Sequence, residues 1–147
     1  MFDLVIRDGA NLNIGRANGI KSADEIALDL GHLVDVSDAG AVTAFAGTKA
    51  PYGIVTRSIP GGKTAAGDEV IVTKITTDMI FRASIKNGTS EQIKSLVPGA
   101  YIKCGADGVD ASVDASAAST FCRIVDACDA KTIGDRILVS FEYEIKA

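Results

Sequence analysis

The side chains able to do chemistry are few and scattered in this chain of 147 residues. Its one histidine is His32, and its cysteines are Cys104, Cys122 and Cys128. A general base needs a nucleophile or a substrate proton within reach, and a further group to orient its ring. No Gly-x-Ser-x-Gly elbow is present and no spacing pairs His32 with a cysteine, so it reads as an ordinary surface residue. Structural zinc wants four ligands, usually with a tight Cys-x-x-Cys pair. Here the closest cysteines have five residues between them and His32 lies far off, so neither a metal nor a cofactor is expected. An odd count of three thiols supports no disulfide framework either, and they read as buried or half-buried.

Three further segments invite chemistry and then fail its requirements. Pro60-Gly61-Gly62-Lys63-Thr64 ends like a phosphate-binding loop, but Arg57 stands where that motif needs its first glycine. The loop also leads into a strand, so a helix N-terminus to cradle phosphate is lacking. Asp107, Asp110 and Asp114 crowd one turn without the alternation and terminal Glu of a calcium loop. Asn87-Gly88-Thr89 matches a glycosylation acceptor, but with no secretory signal it reads as a turn. The catalytic inventory is empty, and the chain is expected not to be an enzyme.

Composition narrows the remaining classes. With 15 basic against 19 acidic residues, the net charge is −4 and no basic run exists, which argues against a nucleic-acid partner. No apolar stretch approaches the roughly 20 residues of a membrane span. The opening Met1-Phe2-Asp3-Leu4-Val5-Ile6 has neither the basic run nor the long apolar core of a signal peptide, so synthesis in a reducing cytoplasm is expected. Gly is frequent, at 15 residues, Trp is absent, and Val, Ile and Thr recur in short bursts. That vocabulary favours strands and turns over a helical bundle.

The elements that would position any site come from an internal repeat. One copy opens Gly31-His32-Leu33-Val34-Asp35-Val36, and the other opens Gly99-Ala100-Tyr101-Ile102-Lys103-Cys104. Nine residues after each opening glycine stands another, Gly40 or Gly108, in a turn. Tyr52-Gly53-Ile54-Val55 then matches Phe121-Cys122-Arg123-Ile124-Val125. The copies close on Gly67-Asp68-Glu69-Val70-Ile71-Val72 and Gly134-Asp135-Arg136-Ile137-Leu138-Val139. Each copy, about residues 31–73 and 99–141, predicts four short strands joined by tight turns. The expected fold is mainly β: a small barrel or sandwich in which the two copies close on each other over a shared core.

Between the copies, residues 74–85 predict a strand pair or one long strand, followed by a turn at Asn87-Gly88. Thr89-Ser90-Glu91-Gln92 is a capping box and predicts one short helix over 89–96, with Pro98 beyond its end. Ile26, Leu28 and Leu30 alternate as in a strand. Residues 1–20 are Gly- and Asn-rich, have no partner in the repeat, and read as an N-terminal arm ahead of a single β domain over 21–147. An ordinary core strand at Phe2, Leu4 and Ile6 is the competing reading.

With the repeat in view, Ala50-Pro51-Tyr52-Gly53-Ile54-Val55 and Ala66-Gly67-Asp68-Glu69-Val70-Ile71-Val72 give the chain a family likeness. Asp107-Gly108-Val109 and Ile133-Gly134-Asp135-Arg136-Ile137-Leu138-Val139 repeat the cadence. Over residues 26–145 the chain resembles the small decoration (cement) proteins of tailed-bacteriophage capsids. The resemblance implies a compact β protein, often a trimer, on the outer surface of an expanded head in the virion. There it would bind the major capsid protein and hold neighbouring subunits together. On that reading Phe2, Leu4 and Ile6 would add a strand to a capsid or neighbouring-subunit edge, with Arg7 and Arg16 pairing with carboxylates. The alternatives are a carbohydrate- or receptor-binding β module, disfavoured by the missing Trp, a small-molecule-binding barrel, or another phage head or tail component.

Overall fold

A computed structural model of the chain describes residues 2–7, 18–23, 25–57, 59–104, 110–113, 119 and 121–142. It is mainly β with one short helix. A first strand, β1 (Phe2–Arg7), precedes the first copy of the repeat, which holds β2 (Asn18–Lys21), β3 (Ile26–Ala27), β4 (Leu33–Val36), β5 (Val42–Ala44), β6 (Gly53–Val55), β7 (Lys63–Thr64) and β8 (Glu69–Lys74). The second copy holds β9 (Met79–Asn87), the helix α1 (Ser90–Lys94), β10 (Lys103–Cys104), β11 (Ala111–Ser112), β12 (Cys122–Asp126) and β13 (Arg136–Phe141).

Each copy curls its own sheet into a small barrel. The first runs β2-β8-β6-β4-β5, and a parallel bridge from Ser22 to Val42 brings its ends together. The second runs β12-β13-β9-β11-β10, and a bridge from Tyr101 to Arg123 does the same. The two are built on one register. Ile54 faces Leu33 and Thr73 in the first barrel, as Arg123 faces Tyr101 and Ser140 in the second. Gly31 donates to the Val55 carbonyl at 2.9 Å, and Gly99 to that of Ile124 at 2.8 Å. At the closing turn, Gly67 donates to Ser22 and Gly134 to Ile85, with φ of 85° and 95° that only glycine adopts without strain. The aspartate after each glycine accepts a backbone N–H, Ala65 to Asp68 at 2.8 Å and Thr132 to Asp135 at 3.0 Å.

These registers extend the repeat beyond its sequence-level bounds. Val70 and Val72 face Ile20 and Asn18, just as Ile137 and Val139 face Ala83 and Phe81. Strands β2 and β9 are therefore the same opening strand in two copies. Residues 18–20, expected in the arm, belong to a barrel. Their Asn-Gly-Ile-Lys sequence carries one apolar residue, too little to show strand alternation. Strand β1 is likewise part of the sheet, antiparallel to β9 with Phe2 opposite Ala83 and Leu4 opposite Phe81. Phe2 is 1% exposed, its ring 5.7 Å from that of Phe141. Burying an aromatic ring of this size outweighs leaving it free for a partner. The reading of Phe2 as part of a docking arm is corrected accordingly; Leu4, Ile6 and Arg7 are strand positions, and Arg16 lies outside the described residues.

The shared core is also revised, because each barrel fills its own interior. Leu28, Val34, Val42, Val55, Val70 and Val72 form one cluster. Their counterparts Ile102, Ala111, Ile124, Ile137 and Val139 lie in the other, with Leu96 packed against it. Alternation sends every second side chain inward, so a sheet this tightly curled supplies its own contents. The barrels join differently. Leu33, Ile54 and Ile75 point outward from the first barrel yet are buried in the second barrel's cluster. Nearby, the Phe45 and Phe121 rings meet edge to face at 6.3 Å. The outer wall of one barrel is thus the seam with the other.

The helix forms where the capping box predicts it. Gln92 N–H donates to Thr89 Oγ1 at 3.2 Å, Thr89 N–H donates to Gln92 Oε1 at 2.8 Å, and Ile93 is buried. Between Ile85 and Val97 the second copy is five residues longer than the first is between Ser22 and Asp29, and α1 takes up that length. The strand expected over Ile26, Leu28 and Leu30 shortens to β3, since the chain turns at Asp29 and leaves Leu30 41% exposed.

Candidate interaction surface on the second barrel

The seam positions of the first barrel have polar counterparts in the second. Tyr101 stands for Leu33, Arg123 for Ile54 and Glu142 for Ile75. Strand alternation turns all three outward, and the Tyr101–Arg123 bridge sets the first two side by side. Glu142 follows β13 and donates its N–H to the Phe121 carbonyl at 2.7 Å, which brings its side chain to the same face. Its carboxylate then serves both neighbours. Tyr101 Oη donates to Oε2 at 2.7 Å, and Arg123 Nη1 donates to Oε1 at 3.0 Å.

The electrostatics follow from those bonds. The Tyr101 hydroxyl, then the Arg123 guanidinium, hold the Glu142 carboxyl below its usual range. The Glu142 carboxylate in turn raises the Tyr101 phenol, chiefly by accepting its proton in a hydrogen bond. An exposed ion pair of this kind adds only about 0.2–1 kcal/mol of stability. Its larger effect is to hold a tyrosine and an arginine in fixed positions, two of the three residue types enriched among the residues that dominate protein interfaces. Tyr101 is 39% exposed, Val125 shares the outer face of β12 at 37%, and Val97, at 57%, precedes the turn that carries Gly99 against Arg123. Four of the five exposed large apolar residues among those described lie in the second barrel.

Other candidates resolve into structure. Lys63 of the glycine-rich loop pairs with Glu25 at 2.9 Å on the surface, and Thr64 is buried with its hydroxyl 2.8 Å from that of Ser22. The loop is a 3-10 turn, Pro60–Gly62, feeding β7, so no phosphate cradle forms. Asp110 lies 3.9 Å from Lys86; Asp107 and Asp114 are outside the described residues. His32, expected at the surface, is half-buried, with its Nδ1 buried. Among the described residues no group of three His, Cys, Asp or Glu side chains is placed to hold a metal. A mostly apolar cleft of about 230 Å³ opens at the seam between Phe2, Ile54, Met79 and Phe81, where the Thr73 hydroxyl donates to that of Thr56 at 3.4 Å.

Sequence reasoning sought the interface in residues 2–16, and the structure brings Phe2 to the core. Tyr101, Arg123 and Glu142 went unnoticed, although the repeat held a signal. Aligning the copies sets Tyr101 against Leu33 and Arg123 against Ile54, a switch from apolar to polar on one face. Compared with known proteins, the chain matches no protein-family model and no curated protein.

Proposed function

We propose that the chain is a non-enzymatic capsid decoration protein, binding the outer surface of an expanded phage head and bridging major capsid protein subunits. The observation that carries this reading is the Tyr101–Arg123–Glu142 face. It presents preorganised contact residues at the position where the sister barrel makes its own barrel-to-barrel seam. Two barrels joined through a buried wall offer a stiff scaffold for such a face, which limits the ordering cost of binding. The turn-and-strand cadence shared with cement proteins supplies the choice of partner, and association as a trimer on the virion surface belongs to the same proposal.

The mechanism is linkage. A protein that binds the expanded lattice and not its dissociated subunits stabilises the lattice by mass action. Repetition over the shell multiplies modest contacts through high effective concentration. The test is sedimentation of the purified chain with expanded heads that lack it. Co-sedimentation at a copy number comparable to the shell protein, with a raised thermal stability of the particle, is the expected result. Arg123→Ala and Tyr101→Ala should each weaken that binding by about 2 kcal/mol, some thirtyfold. A chain left at the top of the gradient, or one captured instead by glycans on an array, removes the decoration reading.

A further inference from the structure

Cys104 and Cys122 are 2% and 0% exposed within the second barrel's core. Ile102 N–H donates to the Cys122 carbonyl at 3.0 Å, which sets position 122 across from 102. Cys104 is two residues further along that strand, on the same inward face, so the two thiols are diagonal neighbours. Both thiols lie in the same apolar cluster, and the neighbouring Cys104 thiol, then burial, push the Cys122 thiol well above the usual range. Ser119 fixes the approach, its Oγ donating to the Ile102 carbonyl at 2.6 Å and accepting from Cys122 N–H at 2.9 Å. The repeat does not require such a pair. The first barrel has Val36 and Gly53 at these positions, and a Cβ at Gly53 would collide with Val72 and the Thr73 carbonyl.

We propose that Cys104 and Cys122 are a latent disulfide, held as thiols where the chain is made and closed on transfer to an oxidising medium. The co-reactant is a small disulfide such as oxidised glutathione. One protein thiolate attacks it, expelling one glutathione thiolate and leaving a mixed disulfide. The second protein thiolate displaces the other glutathione. One S–S bond breaks, one forms, and both protein thiol protons end on glutathione. The new bond links β10 to the start of β12, next to the Tyr101–Arg123 bridge that closes this barrel. It stabilises by restricting the unfolded chain over residues 104–122. Because both sulfurs are buried, exchange waits on local opening and is slow under native conditions. This inference stands independently of the proposed function.

The test uses the full chain carrying Cys128→Ser, which removes the exposed thiol and its intermolecular pairing. Oxidised glutathione should remove both remaining thiols, as counted in denaturant, while the chain stays monomeric on a non-reducing gel and its mass falls by two hydrogens. The oxidised form should melt at a higher temperature, and dithiothreitol should restore both thiols and the lower melting point. Two thiols still titrating after prolonged oxidation, stable glutathione adducts or a lowered melting temperature would each overturn the proposal.

Discussion

The two barrels share a backbone and differ in what they do with it. On the outer wall, Leu33, Ile54 and Ile75 are buried in the seam, whereas Tyr101, Arg123 and Glu142 form an exposed hydrogen-bonded set. At the ends of the closing strands the contrast reverses. Phe141 is fully buried beside Phe81 and Phe2, while its counterpart Lys74 is exposed and reaches over the Tyr52 ring at 5.9 Å. One barrel offers an apolar wall and the other an apolar, aromatic interior end. The tandem therefore has one apolar junction, and the second barrel's matching wall carries a polar set in place of another, the arrangement that keeps a short repeat array from growing.

Exchanging residues between copies is the sharpest way to probe this contrast. Ile54→Arg imports the second copy's residue into the seam and buries an unpaired cation. It should cost about 3–5 kcal/mol in urea unfolding, and a loss under about 1 kcal/mol would mean that the barrels do not pack through this wall. Phe141→Ala should cost about 3–4 kcal/mol by leaving a cavity beside Phe2 and Phe81. Lys74→Ala, at the matching position, should stay within about 0.5 kcal/mol, and equal effects would erase the distinction.

Smaller effects separate the copies further. Thr89→Ala removes the cap of a helix that only the second copy carries and should cost about 1 kcal/mol, with faster amide exchange in residues 90–94. Asp135 accepts backbone N–H groups from Lys131 and Thr132, which hold its carboxyl below the ordinary range. With the folded pKa depressed, its contribution is present above the unfolded carboxylate pKa and is lost as the pH falls through the folded one. An NMR titration should place its midpoint below that of a free aspartate, and Asp135→Asn should flatten the acid limb of the stability curve.

Much of the architecture was legible because it rests on local rules. Thr89 and Gln92 sit at capping-box spacing, and Gly67 and Gly134 precede aspartates that close their turns, so the helix and these turns follow from neighbours in the chain. A strand was legible over residues 74–85, but its equivalence to β2 was hidden, because Asn18-Gly19-Ile20-Lys21 and Met79–Asn87 share almost no sequence, although they hold the same place beside β8 and β13. The site was half legible. Tyr101 and Arg123 fall on aligned repeat positions, but Glu142 lies beyond the matched segment.

From the sequence alone came the fold class, the repeat and the helix cap, since each depends on periodicity or on contacts a few residues long. Which outward face became a seam, where Phe2 went, and that Cys104 and Cys122 share one barrel's core were decided only in three dimensions. Those outcomes depend on how strands far apart in the chain come into register and which apolar surfaces then find one another, and local pattern carries no term for either.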